Sequence, residues 1–221
     1  MELKCLISVN EADVYKAIKR LKPKKSLGHD NIPAYVYKGL IDFLTPPLTH
    51  IINLSISKSK YVKIWEVTKV TPVPKDDLGE DIANHRPIAL STVPAKIFES
   101  IIHEQVSKQV ESRITNSQHG FRVKRVVHTN LISFTQSLAE HLDQGVQVDT
   151  IYTDFTKAFD KVNHVILIEK LRIMGFSDSA LQFFRTYLRD ETQNPEFLTV
   201  LRGFLRAPTW VHSCSPYLLM I

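Results

Sequence analysis

Two short β-branched runs, joined by a tip rich in proline, aspartate and glycine, limit the fold more than any other feature of this 221-residue sequence. Residues 67–73 alternate in the manner of a strand, and residues 85–90 predict a second strand that returns. Between them, Pro-Lys-Asp-Asp-Leu-Gly at 74–79 is typical of a hairpin tip. The sequence therefore predicts an antiparallel hairpin, whereas a parallel sheet would require repeated strand–helix–strand units.

Helical periodicity predicts the structure of most of the remaining chain. Helices are expected over residues 10–21, over 34–60 with a break at Pro46-Pro47, after Pro94, and over 131–142, 165–174 and 181–188. Asn10 is expected to cap the first helix, and Gly145 and Gly175 to end two later ones. With one further strand over residues 146–153, the pattern predicts a helix-rich α+β fold.

Charge and composition narrow the class of protein. Lysine and arginine number 28 against 23 acidic residues, and the net charge of +5 with a pI of about 9.1 favours an anionic partner such as nucleic acid. The two cysteines, Cys5 and Cys214, predict neither a zinc site nor a disulfide framework. Because no signal peptide or long apolar run appears, we expect an intracellular protein of the nucleus or cytoplasm without a membrane partner.

The clearest candidate for chemistry is Asp154, which directly follows the strand predicted over residues 146–153. A carboxylate held at the end of a rigid strand can bind Mg²⁺, and Phe159 follows five residues later. The alternative is an aspartate that caps the next turn while Phe159 packs in the core. The spacing alone leaves both interpretations open.

Four segments resemble, in order, motifs of reverse transcriptases from non-LTR (LINE-type, jockey-like) retrotransposons. Residues 25–33, KSLGHDNIP, resemble KSPGPDGIP and depart from it at Leu27, His29 and Asn31. NHRPIAL at 84–90 with KIFE at 96–99 resembles NYRPISLL…KIFE, and QHGFR stands at 118–122. DFTKAFDKVNH at 154–164 resembles DFSKAFDxVxH. The resemblance covers residues from about 10 to 193 and implies a right-hand polymerase fold, with fingers and an incomplete palm.

This resemblance implies a domain order and a set of site residues. It implies an N-terminal extension over 1–60, fingers over 61–130 and a partial palm over 131–221. Asp154 would be the catalytic, metal-binding residue, and Phe159 would pack under the nucleotide sugar. The remaining implied contacts are cationic: the triphosphate would meet Lys75 and Arg86, and the template would meet Arg122, Lys24 and Lys25.

The partners implied by the resemblance are an RNA template, a DNA primer, deoxynucleoside triphosphates and an endonuclease domain on the same polypeptide. The cofactor would be Mg²⁺ or Mn²⁺. Because the Ala-Asp-Asp turn, the GVPQGS motif and the thumb of the family are not recognisable after Asp154, we expect a truncated, inactive fragment that does not bind the metal tightly. The alternatives are a non-catalytic nucleic-acid-binding remnant and, more remotely, a haloacid-dehalogenase-type phosphohydrolase, which would need an aspartate where Thr156 stands.

The tail after Arg206 contains no charged side chain. If the reading frame is shifted one base downstream at Trp210, the new codon there must encode glycine. The shifted frame then permits Gly-Ser-Ile-Leu, which resembles the family sequence at this point. We hypothesise that compensating insertions or deletions flank residues 209–214, and sequencing of the locus tests this.

Overall fold

A computed structural model describes residues 6, 8–22, 27–74, 85–120, 122, 124–152 and 162–189. Within these residues the chain forms seven α-helices and a two-stranded sheet, which agrees with the predicted helix-rich fold. The elements are α1 (Glu11–Arg20), α2 (Ala34–Gly39), α3 (Ile41–Ser57), β1 (Lys69–Pro74), β2 (His85–Leu90), α4 (Val93–Val110), α5 (Val127–Asp143), α6 (His164–Ile173) and α7 (Asp178–Arg189).

The chain divides into two compact units. The first contains Met1–Gln109 and His164–Phe197, and the second contains Val110–Asn163 and Leu198–Ile221. Among the described residues, no helix has the length and apolar character needed to cross a bilayer.

Helix α1 begins as the sequence predicts. The Asn10 side chain accepts a hydrogen bond from the Asp13 amide at 2.9 Å, and the Asp13 carboxylate accepts one from the Asn10 amide at 3.2 Å. This reciprocal pair satisfies two amides that have no partner inside the helix. The predicted apolar face is buried through Val14, Ala17 and Ile18.

The break predicted at Pro46-Pro47 is wrong, because α3 runs through both prolines and the interruption lies at Leu40. Each proline removes one backbone amide donor from the helix. Both prolines lie on the exposed side, where water can hydrate the carbonyls that lose their partners. On the other side, the hydroxyl of Thr45 donates to the carbonyl of Ile41 at 2.7 Å, which satisfies a backbone acceptor within the first turns.

The predicted hairpin is confirmed as an antiparallel pair of β1 and β2. Lys69 lies opposite Leu90 at one end, and Pro74 lies opposite His85 at the end nearer the tip. The predicted tip at 74–79 is described only at Pro74, and the rest lies outside the described residues.

An aromatic cluster forms the core of the first unit. The rings of Tyr61, Trp65 and Phe98 pack edge to face or tilted, with ring centroids 5.5 to 6.2 Å apart. Helix α7 adds Phe183 and Tyr187, and the Tyr187 ring lies 4.7 Å from that of Tyr61. These rings bring the segment before β1, the long helix α4 and helix α7 into one core, and such edge-to-face pairs add to the stabilisation from burial alone.

The strand predicted over residues 146–153 is wrong for its described part, because residues 146–152 contain only a single bridge residue, Thr150. A strand needs a neighbour that satisfies its amides and carbonyls, and the described residues supply no continuous one here. Val146, Ile151 and Tyr152 are consequently exposed. Helix α5 is confirmed, but none of its residues is fully buried, and Leu131 is exposed.

Helices α6 and α7 are confirmed close to their predicted positions. Gly175 has a φ of +90°, a left-handed conformation that suits glycine at the end of a helix, and its amide donates to the Arg172 carbonyl. Gly145 does the same after α5, with a φ of +71°.

Candidate functional site

Most residues that the sequence assigns to chemistry lie outside the described part of the chain. These are Asp154, Phe159, Lys75, Lys24 and Lys25, and their assignments stay predictions. Arg86 is described through its backbone, which lies in β2 with its Cα opposite that of Val73. In the sequence Lys75 follows Pro74 directly, and β1 ends at Pro74.

Arg122 makes three hydrogen bonds within the second unit. Its Nε and Nη2 atoms donate to one oxygen of Glu111, at 3.2 and 2.8 Å, and Nη1 donates to the Thr115 carbonyl at 2.8 Å. The Arg122 side chain is only 9% exposed, against 44% for Glu111. Three of its five N–H donors are thus engaged in closing the loop between Glu111 and Arg122. Its predicted contact with a template stays a prediction.

The same loop is tied to the start of α5 by Thr129. The Thr129 hydroxyl lies 2.9 Å from Nδ1 of His119 and 2.8 Å from the Val126 carbonyl, to which it donates. It also lies 3.1 Å from the Val126 amide. One hydroxyl thus holds the loop against the first turn of α5.

The turn over residues 27–33 packs tightly against the start of α4. A Cβ atom on Gly28 would lie 2.9 Å from the Thr92 Cα, a distance that side-chain carbons do not tolerate without a shift of the backbone. Asn31 has a φ of +54°, so it holds the left-handed conformation at a position where the related motif has glycine. The Asp30 carboxylate accepts from the Ile32 amide at 3.3 Å, which stabilises this turn.

Three polar groups at or near this turn are buried: the Tyr37 hydroxyl, Nδ1 of His29 and the Thr92 hydroxyl. Burial raises the pKa of the Tyr37 hydroxyl, and the Asp30 carboxylate raises it further. Within the described residues, neither Nδ1 of His29 nor the hydroxyl of Thr92 has a hydrogen-bonding partner. Because Gly28 approaches the Thr92 backbone so closely, the turn and the start of α4 form one packed corner of the first unit.

A cationic cluster that sequence analysis missed joins α1 to α4. Glu104 of α4 accepts from Arg20 at 3.1 Å and from Lys108 at 3.0 Å, and the Lys16 ammonium lies 3.9 Å away. The hydrogen bond from Lys108 is the largest cause of a lowered pKa at Glu104; burial, the second-largest cause, opposes it, and the charge of Lys108 together with Arg20 and Lys16 lowers the pKa further. The signal in the sequence was the four-residue spacing within each helix, but the pairing of the two helices required the structure.

A groove of about 500 Å³ lies along α6 and α7 in the first unit. Polar side chains on its walls include His164, Glu169, Gln182 and Arg185. Glu169 is already paired with Arg172 at 2.7 Å, outside the groove lining. In the described part of the chain, no group of three or more histidine, cysteine, aspartate or glutamate side chains could hold a metal ion.

A family model described as reverse transcriptase (RNA-dependent DNA polymerase) matches residues 73–214. The chain is also similar to a "Probable RNA-directed DNA polymerase from transposon BS" of Drosophila melanogaster, at 25% identity over 80% of this chain and 20% of the relative. An "RNA-directed DNA polymerase from mobile element jockey" of Drosophila funebris is 24% identical over 79% of this chain and 19% of the relative.

A third relative is a "Retrovirus-related Pol polyprotein from type-1 retrotransposable element R2" of Popillia japonica, at 24% identity over 58% of this chain and 18% of the relative. The chain spans about a fifth of the length of these relatives. The matched range 73–214 contains five of the predicted site residues, namely Lys75, Arg86, Arg122, Asp154 and Phe159. Lys24 and Lys25 lie outside it.

Proposed function

Because the chain belongs to the reverse transcriptase family, we propose that it supplies the fingers and the first part of the palm of an RNA-directed DNA polymerase from a non-LTR retrotransposon. The observation that carries this proposal is the family match, which includes the end of β1, the whole of β2, the Arg122 loop and the Asp154 segment in one continuous range. Residues 1–60 would be an N-terminal extension, 61–130 the fingers and 131–221 a partial palm.

The proposed nucleotide site uses the cations of the hairpin. Lys75 would contact the triphosphate as a point charge, and Arg86 would donate two hydrogen bonds to it as a bidentate guanidinium. The register supports this assignment, since Arg86 lies opposite Val73 and Lys75 comes directly after the last residue of β1. Phe159 would pack under the sugar of the incoming nucleotide.

The proposed template contacts are electrostatic. Lys24 and Lys25 would contact phosphates without reading bases, which matches the positive net charge. Arg122 would lie beside the template backbone, and its bonds to Glu111 and Thr115 would hold the loop that carries it. An RNA template, a DNA primer and an endonuclease domain on the same polypeptide are the partners that this reading implies.

Asp154 is the proposed ligand of Mg²⁺ or Mn²⁺, which when bound would neutralise the triphosphate and activate the primer hydroxyl. Two-metal chemistry needs more than one carboxylate, and no adjacent aspartate pair follows Asp154 in this sequence. We therefore assign no step through the metal, and we propose that this 221-residue chain binds primer and template without extending the primer. The same missing carboxylate pair favours, as a second candidate, a non-catalytic remnant that only binds nucleic acid.

Binding to a labelled RNA–DNA primer-template, measured by fluorescence anisotropy across a salt series, tests the proposal. Affinity should fall with salt, with a slope of about −0.7 to −0.9 per phosphate contacted. The double variant Lys75→Gln, Arg86→Gln should weaken the binding of a deoxynucleoside triphosphate to the complex with primer-template. Lys58→Gln changes an exposed lysine outside the matched range and should have no effect on that binding. Salt-independent binding would contradict the proposal.

Primer extension on the same substrate with Mg²⁺ or Mn²⁺ separates binding from catalysis. We expect no template-dependent incorporation by this chain. Incorporation that disappears in Asp154→Ala would show that the second carboxylate is supplied by residues that we have not recognised.

A further inference from the structure

The cluster of α1 and α4 has more positive charge than its internal pairing requires. Three cations, Lys16, Arg20 and Lys108, converge on Glu104, which supplies one negative charge. The group therefore carries a net charge of about +2 at neutral pH, since the lowered pKa of Glu104 keeps that carboxylate ionised. One carboxylate would be balanced by one cation, and two positive charges remain.

These cations are accessible. The Lys16, Arg20 and Lys108 side chains are 56%, 61% and 74% exposed. Exposed ion pairs of this kind contribute about 0–1 kcal/mol each, so folding alone gives little reason to gather three cations here. The arrangement nevertheless holds their charged ends around one carboxylate, on two helices that are each anchored in the core, since Val14 and Ile18 of α1 and Ile102 of α4 are buried.

The other acidic side chains on these helices are Glu11 and Asp13 in the first turn of α1 and Glu99 of α4. Asp13 accepts the hydrogen bond that caps α1. Glu99 of α4 is 6% exposed and lies under the surface, where it accepts from the Tyr187 hydroxyl. Lys19, also on α1, is exposed and adds to the positive field. The surface that faces solvent is therefore cationic, with Glu104 at its centre.

We propose that the exposed surface formed by Lys16, Arg20 and Lys108 around Glu104 binds the phosphate backbone of a nucleic acid strand, at a site separate in sequence from the hairpin and the Asp154 segment. The interaction needs charge alone, without base recognition. An acidic protein would normally add an apolar anchor, and the apolar neighbours Ala17, Ile18 and Ile101 are buried. The choice of nucleic acid over other polyanions rests on the proposed function.

Substitution of Glu104 tests this proposal, because its carboxylate competes with phosphate for the same three cations. Glu104→Gln should release them, so the chain should bind single-stranded RNA about two- to fivefold more tightly, the equivalent of one surface ion pair. A gain of affinity cannot come from misfolding. Glu169→Gln removes the same charge from an exposed pair on α6 and should leave affinity within error of wild type.

The converse variant removes the cations. The triple change Lys16→Gln, Arg20→Gln, Lys108→Gln should lower the salt slope for single-stranded RNA by about 2, at about 0.7 per contact. Far-UV circular dichroism and thermal melting should show a folded chain. An unchanged slope, or an unchanged affinity in Glu104→Gln, would overturn the proposal. So would a polyglutamate peptide that competes as well as RNA of equal charge.

The two proposals fail in different ways. Loss of all salt-dependent nucleic acid binding would refute the proposed function. Salt-dependent nucleic acid binding that is the same in the wild type and in the cluster variants would refute only the proposed site at Glu104. The full 221-residue chain is used throughout.

Discussion

Substituting phenylalanine for Tyr187 isolates one buried hydrogen bond in the core of the first unit. Tyr187 is 1% exposed, and its hydroxyl donates to a carboxylate oxygen of Glu99 at 3.3 Å. The variant keeps the ring and its packing against Tyr61 and Phe183, so the loss of the hydroxyl is the main change. Glu99 is itself only 6% exposed, and water cannot easily replace the missing donor.

The length of this hydrogen bond determines how large a loss of stability we expect. Removing one partner from a buried hydrogen bond costs about 1–3 kcal/mol. At 3.3 Å the O–H···O contact is longer than the usual range of about 2.5–3.0 Å. We therefore expect Tyr187→Phe to lower the free energy of unfolding by an amount in the lower part of that range, about 1–2 kcal/mol. Urea unfolding, followed by the fluorescence of Trp65 in the same cluster, measures this directly.

The matched control is Tyr35→Phe, since Tyr35 is 61% exposed and its hydroxyl can bond to water. We expect no measurable change in the free energy of unfolding for that variant. If Tyr187→Phe is as stable as Tyr35→Phe, the contact between α7 and α4 does not contribute as described.

Two further changes test the packed corner at Gly28 and the half-buried His103 of α4. Gly28→Ala should destabilise the chain by about 1–3 kcal/mol, because the new Cβ meets the Thr92 backbone. Gly39→Ala, where nothing lies within 4 Å, should be neutral or stabilise by up to about 1 kcal/mol; equal effects in urea unfolding would contradict this account. Burial lowers the pKa of His103, with Glu104 opposing the shift, so the folded state takes up its proton less readily than the unfolded state. Stability should therefore be intact above pH 6.5 and fall as the pH drops through the folded pKa. His103→Gln should flatten that fall, whereas His50→Gln at an exposed site should preserve it.

Elements that depend on residues close together in sequence were predicted correctly. The reciprocal cap of Asn10 and Asp13, and the pairing of β1 with β2, follow from residues close in sequence or joined by a short tip. The prediction of a helix break at Pro46-Pro47 was wrong because proline is tolerated where the carbonyls that lose their partners face water. The prediction of a strand was wrong over residues 146–152 because β-branched composition does not supply a pairing partner.

Tertiary pairing explains what the sequence could not predict at the candidate site. That Arg122 is engaged by Glu111 depends on the path of the loop between them. The convergence of Lys16, Arg20 and Lys108 on Glu104 depends on the fold bringing α1 near α4, which are about eighty residues apart in sequence. Family motifs, in contrast, indicated Asp154, Lys75 and Arg86 without any structural information, and these assignments stay predictions.

Mapping where a photoreactive deoxynucleoside triphosphate attaches, with primer-template present, tests the central claim most directly. After irradiation and proteolysis, mass spectrometry should locate the label on peptides that contain Lys75, Arg86 or Phe159. An excess of unlabelled triphosphate should abolish that labelling. Label spread evenly over the chain, or confined to peptides outside residues 73–214, would contradict the claim that this chain carries the nucleotide site of a reverse transcriptase.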